Sequence, residues 1–229
     1  MVFSQTNGEM RASEAEIAAE MEAIYCLYAG MARSMDPETG LGGKLLYAGE
    51  PDAAGCRLLR AANIAGAASL AASADTGALR TAMRQGAIDF VVNSLGEALR
   101  ILKNEIRKKQ PVAVGLTVAP ELVLKEMAER GVQPDLLAPD APHPRLDTGT
   151  GEMAGFLARG ARRIEPHRLP ADKHFRIVPI PPDWNQSAGA FDALLLDGLA
   201  ADDAVNRRWV RLAPRYLPAA ARRLRLAPE

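Results

Sequence analysis

The stretch from Lys44 to Gly66 constrains this chain more than any other. A short apolar run, Leu45-Leu46-Tyr47-Ala48, meets a glycine-bounded turn, Gly49-Glu50-Pro51-Asp52, and passes into a helix of small residues that starts at Ala53 and ends at Gly66. A strand that feeds through glycine into an Ala- and Gly-rich helix suits the first unit of a doubly wound α/β domain. Small residues let that helix lie close to a sheet and aim its N-terminal N–H groups at the carboxyl end of the strand.

The alternation then continues. Residues 45–48 read as strand one and 53–65 as helix one; the small apolar run 67–72 suits a strand buried on both faces. Residues 76–85 read as helix two, closed by Gly86, and 88–92 as a β-prone third strand. Ser94 and Glu97 have capping-box spacing, and Leu95, Leu99, Leu102 and Ile106 share one helical face opposite Arg100, Lys103, Arg107 and Lys108. Residues 112–116 make strand four, Pro120 suits the first position of a helix that runs to Arg130, and 136–138 make a short strand five. Five strands joined through helices predict right-handed crossovers and a parallel sheet of order 3-2-1-4-5. The ligand crevice is then expected at the carboxyl ends of strands one and four. The residues expected to face it are Gly49, Glu50, Ser73, Asp75, Asn93, Ser94, Thr117, Val118 and Asp140.

Two flanking parts complete the organisation. Residues 1–12 are polar and read as frayed, Ser13 with Glu16 offers a capping box, and Ile17, Met21, Ile24, Tyr28 and Met31 recur at helical spacing. Asp36-Pro37 stops that helix and Gly40-Leu41-Gly42-Gly43 is a joint. After Pro144 a short helix at 152–161, a strand at 175–180 that ends in Pro181-Pro182, a helix at 191–199 and a helix broken at Pro214 and Pro218 over 204–224 read as a mostly helical extension. The expected division is 1–43, 44–144 and 145–229.

Composition narrows the function classes. Lys+Arg and Asp+Glu are 28 each, so net charge gives no reason to expect nucleic acid as partner. Arg207, Arg208, Arg211, Arg215, Arg222, Arg223 and Arg225 crowd the last segment; they read as a solvated or subunit-facing helix face, or as an anion-binding patch. No apolar run reaches membrane-spanning length and the N-terminus lacks a signal-peptide core, so a cytoplasmic protein is expected, as the two cysteines, Cys26 and Cys56, also suggest. No nucleophile elbow, phosphate loop or Cys/His metal spacing occurs. His167, Asp172 and His174 match no regular face and read as loop residues; His143, between two prolines beside the expected crevice, is the better functional candidate. Cys56 in the first turn of helix one is either a thiol activated by the helix dipole or a small apolar residue against the sheet. Trp184 and Trp209 read as anchors of the extension or of a subunit contact.

Residues 45–144 resemble the central NAD-binding, Rossmann-like domain of urocanase (urocanate hydratase). The resemblance is carried by Leu46-Tyr47-Ala48-Gly49, Asn63-Ile64-Ala65-Gly66, Gly86-Ala87-Ile88-Asp89, Ser94-Leu95-Gly96-Glu97-Ala98-Leu99 and Gly131-Val132-Gln133-Pro134-Asp135. It implies a tightly bound NAD whose nicotinamide ring acts as an electrophile toward urocanate. The chain departs from that pattern where the cofactor would be held: the family's glycine-crowded first turn is replaced by Gly49-Glu50-Pro51-Asp52-Ala53-Ala54-Gly55, and its Glu at the end of strand two by Ser73. Asp75 either does that Glu's work or caps the next helix. The polar stretch after strand five is shortened to Ala138-Pro139-Asp140-Ala141-Pro142-His143-Pro144, and nothing resembles the flanking catalytic portions, so hydration of urocanate by this chain alone is not expected.

Three readings follow. In the first, Gly49, Asp52, Gly55, Ser73, Asp75, Asn93 and Thr117 line a site for NAD, another adenine nucleotide or a small metabolite. In the second, the sheet persists without the cofactor as a non-catalytic interaction or regulatory module that works as a homodimer, the expected homo-oligomer, or as a partner of another protein. In the third, Glu50, Asp52 and His143 serve as acid/base groups in the crevice. No catalytic residue and no metal ligand is assigned, and neither nucleic acid nor membrane is expected as a partner.

Overall fold

The computed structural model describes residues 3–33, 35–139, 150–167, 176–181 and 187–227. They form two compact units, residues 27–167 and residues 1–26 with 168–229. Helix α1 (Phe3–Ala32) gives its first part to the second unit and its last turns to the first. Ser13 lies inside α1 and does not start it: no proline interrupts residues 3–12, so a helix nucleated by the apolar face that follows propagates back through them.

The larger unit is an α/β sandwich. Its elements alternate as β1 (Leu45–Gly49), α2 (Ala53–Ala65), β2 (Ala68–Ala72), α3 (Thr76–Arg84), β3 (Phe90–Val92), α4 (Leu95–Lys108), β4 (Val112–Leu116), α5 (Pro120–Glu129), β5 (Leu136–Leu137), α6 (Thr150–Ala158) and β6 (Arg162–Arg163). All six strands pair in parallel. The doubly wound, Rossmann-like α/β class stands, with a sixth strand after the five expected.

The order of strands is not the expected 3-2-1-4-5. It is β3-β4-β2-β1-β5-β6, with β4 between β2 and β3. The reason lies in Gly115, the fourth residue of β4. A Cβ there would stand 2.7 Å from Leu79 Cδ2 and 3.1 Å from Ile88 Cδ1, so the missing side chain lets α3 and the segment after it pass over β4 on their way to β3. Asp89 secures the far side: its N–H donates to the Ala113 carbonyl at 2.8 Å, and its Oδ2 accepts from the Ala113 N–H at 2.8 Å.

Strand alternation divides the core between two faces. Leu45, Tyr47, Ala68, Leu70, Ala72, Val112, Val114 and Leu116 pack with Leu95 and Leu102 of α4, Val123 and Met127 of α5 and Phe156 of α6. The other face meets α2 and α3. Every residue of β2 and β4 is buried, as central parallel strands require. The edge strand β3 leaves Phe90 50% exposed.

In the smaller unit, α7 (Ala188–Asp197) and α8 (Ala204–Tyr216) accompany an antiparallel pair, β7 (Arg176–Pro179) with β8 (Leu224–Ala227). The helix expected over 204–224 ends at Tyr216, because Pro218 cannot continue it; Pro214 is accommodated inside α8, and a 3-10 turn (Ala219–Arg223) leads into β8. Tyr25 of α1 meets the buried Trp209 ring edge-on at 5.0 Å and donates to Asn206 Oδ1 at 2.6 Å; burial, with the nearby Asp203 carboxylate, pushes its phenol pKa well up. Several of the clustered arginines have structural work. Arg207 donates to the carbonyls of Leu196 and Leu199, closing the turn between α7 and α8. Arg225, 5% exposed, is paired with the Asp192 carboxylate and donates to the carbonyls of Arg222 and Leu224.

Two stability predictions follow from this packing. At Gly55 an added Cβ would lie 1.9 Å from the Glu50 carbonyl oxygen, a backbone atom that cannot move aside alone, so Gly55→Ala is expected to cost about 1–3 kcal/mol by urea unfolding. A cost near zero would mean the turn after β1 is looser than its geometry. Asp192→Ala strands a buried guanidinium and is expected to lose about 3 kcal/mol, read as a lower thermal midpoint; an unchanged midpoint would show that the carbonyl partners of Arg225 suffice.

Candidate functional site

Each strand of the central sheet ends at one edge, and a ligand crevice opens there wherever two neighbouring strands send their following helices to opposite faces. With β4 inserted beside β2, strands one and four are not neighbours, so the expected crevice between them does not form. Two pairs meet the condition: β2 with β4, whose chains leave through α3 and α5, and β1 with β5, whose chains leave through α2 and α6. Ser73 closes the first pair by donating its N–H to the Leu116 carbonyl at 3.1 Å.

The turn after β1 is built from its own polar groups. Gly49 takes φ +73, a conformation glycine enters without strain, and the ladder to β2 slips between Tyr47 and Gly49, which bends the chain out of the sheet. Asp52 is the N-cap of α2; its Oδ1 accepts from the Gly55 N–H at 2.8 Å. Pro51 is buried, and Cys56 Sγ donates to its carbonyl at 3.4 Å, so Cys56 is a buried thiol packed against the turn. Gly55 is where the turn's backbone presses on the helix, as the 1.9 Å approach of the Glu50 oxygen to its absent Cβ shows.

Ser73, 1% exposed, is the centre of the next group. Its Oγ accepts from the Asp75 N–H at 3.1 Å and donates to Glu50 Oε1 at 3.2 Å. Asp75 is the N-cap of α3, with Oδ1 accepting from the Gly77 N–H at 2.7 Å. At the ends of β3 and β4, Thr117 donates its hydroxyl to Asn93 Oδ1 at 2.9 Å and its N–H to the Val92 carbonyl at 3.0 Å. Asn93 donates its N–H to Glu97 Oε2 at 3.1 Å, and Ser94 caps α4 by accepting from the Glu97 N–H at 3.3 Å.

Of the residues expected at the site, the structure brings Ser73 and Asp75 together, joined to Glu50, and pairs Asn93 with Thr117; Gly49, Asp52 and Gly55 form the first turn. Asp140, His143, Asp172, His174 and Trp184 lie outside the described residues. Among the described residues no group of three or more His, Cys, Asp or Glu could hold a metal ion, and no helix is long and apolar enough to cross a membrane. Tyr47 was not singled out by sequence reasoning. It is buried, donates to the Pro120 carbonyl at 3.0 Å across the edge, and burial, with Glu121 and Glu50 near it, raises its phenol pKa far above the ordinary value. The signal was present, a lone tyrosine in an apolar strand two residues before the glycine turn, since a buried phenol needs a partner.

The first turn offers a pyrophosphate fewer donors and more like charge than a glycine-crowded turn would. A phosphate at a helix N-terminus needs free backbone donors and few nearby anions. Here Pro51 has no N–H, the Gly55 N–H is held by Asp52, and the exposed carboxylates of Glu50 and Asp52 flank the position.

A family model, the Urocanase Rossmann-like domain, matches residues 24–145. The match takes in every strand from β1 to β5 and more than half of the 229 residues. This chain therefore belongs to the family of the urocanase Rossmann-like domain.

Proposed function

We propose that this chain binds a small metabolite, a nucleotide or a compound of similar size, at the carboxyl edge of its sheet, and that it lacks the catalytic parts of a urocanase. The observation that carries the reading is the row of polar side chains at the ends of four adjacent strands: Glu50 after β1, Ser73 after β2, Thr117 after β4 and Asn93 after β3. Side chains that hold one another at a sheet edge are positioned before any ligand arrives, which lowers the ordering cost of binding. Membership of a family whose domain holds NAD makes NAD and other adenine nucleotides the first compounds to try. The thiols of Cys26 and Cys56 suit a reducing, cytoplasmic setting.

A second reading, an interaction module that forms homodimers, is favoured by the edge strand β3. Phe90 there is 50% exposed on an unpaired strand edge, which a second copy paired along the strand would cover.

For the first reading, the protein is purified without added ligand, denatured, and the released small molecules identified by mass spectrometry, with a thermal-shift screen alongside. A released compound, or a rise of about 5 °C or more with one metabolite at saturation, is expected; nothing released and no shift with any compound would contradict it. For the second, light scattering coupled to gel filtration is expected to give a dimer that Phe90→Glu converts to monomer, whereas a monomeric wild-type chain would dispose of it.

A further inference from the structure

We infer that two copies of this chain meet through their smaller units, with α7 of each copy lying against the arginine stripe of α8 in the other. This goes beyond the small-metabolite reading, and it sets the contact between copies in a different place from the β3 edge of the second reading, so the two contacts can be told apart.

Helix α7 is apolar where a solvated helix is polar. Its charged residues are Asp192 and Asp197, and the buried Arg225 draws Asp192 inward. Phe191 is the one residue of α7 that is buried. Leu194 therefore stands 57% exposed, with Leu195 and Leu196 half-buried beside it. One exposed leucine is ordinary, but three in succession with no charge among them leave apolar surface for a second molecule to cover.

Charge says which molecule. From Ser187 to Asp203 the chain carries four acids and no base, and from Ala204 to Leu226 seven arginines and no acid. Arg207, Arg211 and Arg215 recur at one-turn spacing along α8, and Arg207 reaches the Leu196 and Leu199 carbonyls at the end of α7, so the stripe borders α7. Arg211 and Arg215 are exposed and make no ion pair among the described residues, and the same holds for Asp197 and Asp202. One unit thus carries leucines with uncompensated acids on one element and uncompensated arginines on the next, each the complement of the other. A two-fold axis satisfies both at once, because the contact of α7 with the other copy's α8 is then made twice. Arginine suits the rim of such a contact, being weakly hydrated and able to bind a carboxylate through two N–H groups. A free anion on the stripe would neutralise the arginines and leave the leucines bare, whereas a second copy answers both.

Light scattering coupled to gel filtration of the full chain tests this with charge-reversed variants. Wild type is expected to be a dimer, and Phe90→Glu to leave that dimer standing. Two double variants, Arg211→Glu with Arg215→Glu and Asp197→Lys with Asp202→Lys, are each expected to dimerise at least about tenfold more weakly, with the circular dichroism of wild type. Mixed one to one, the two variants are expected to form a dimer again, since every contact between them joins opposite charges. Leu194→Ser, at an exposed position, is expected to weaken the wild-type dimer as well, and it decides the matter if a charge reversal disturbs folding. A monomeric wild type, a dimer that Phe90→Glu abolishes, a mixture of folded variants that stays monomeric, or a dimer that Leu194→Ser leaves at full strength would overturn the inference. Loss through Phe90→Glu upholds the β3 contact in its place, and none of these outcomes touches the small-metabolite reading.

Discussion

Asp52 lies across the start of α2 with its carboxylate on the Gly55 amide, while the Glu50 carbonyl rests on the bare Cα of the same glycine. These two contacts fix the path by which the chain leaves β1, and that path sets where α2 packs and what the carboxyl edge offers a ligand. The capping bond contributes about 1 kcal/mol to the helix. Its larger consequence is chemical, because a side-chain carboxylate sits where a bound phosphate would be stabilised by the same N–H and the same helix dipole. The turn thus supplies its own anion.

The insertion of β4 beside β2 is the second determinant of the site. It separates β1 from β4 and places Ser73 next to Leu116, so the polar groups fall into one row along β1, β2, β4 and β3. Gly115 makes this arrangement possible by leaving room for Leu79 over the strand. Family membership and sheet order together describe a Rossmann-like domain whose first turn carries two carboxylates and whose second strand ends in a buried serine.

Much of this was legible in the sequence wherever the signal was local. Helix α2 runs over the expected residues because Asp52 caps it and Gly66, at φ +95, ends it; β4 has its expected bounds because its five residues lie between Pro111 and the polar Thr117. The doubly wound class followed from alternation alone. Pairing did not, because periodicity says which residues are apolar and not which strand lies beside which, and the one clue was a glycine within the apolar run of β4. The two-residue β6 and the strand β8 were too short to show a period. At the site, the candidate residues were found, but their roles depend on geometry. The cap function of Asp75 and the dependence of Glu50 on Ser73 emerge only when β1 and β2 are placed side by side.

Asp52, in capping α2, takes one of the amides a phosphate at the first turn would use, the Gly55 N–H. The most direct measurement follows the Gly55 backbone amide by nuclear magnetic resonance while inorganic pyrophosphate is added to the full chain. The account predicts that the Gly55 resonance stays in place, since its N–H remains on Asp52; a saturable shift of that resonance would show that pyrophosphate displaces the carboxylate, and would contradict it.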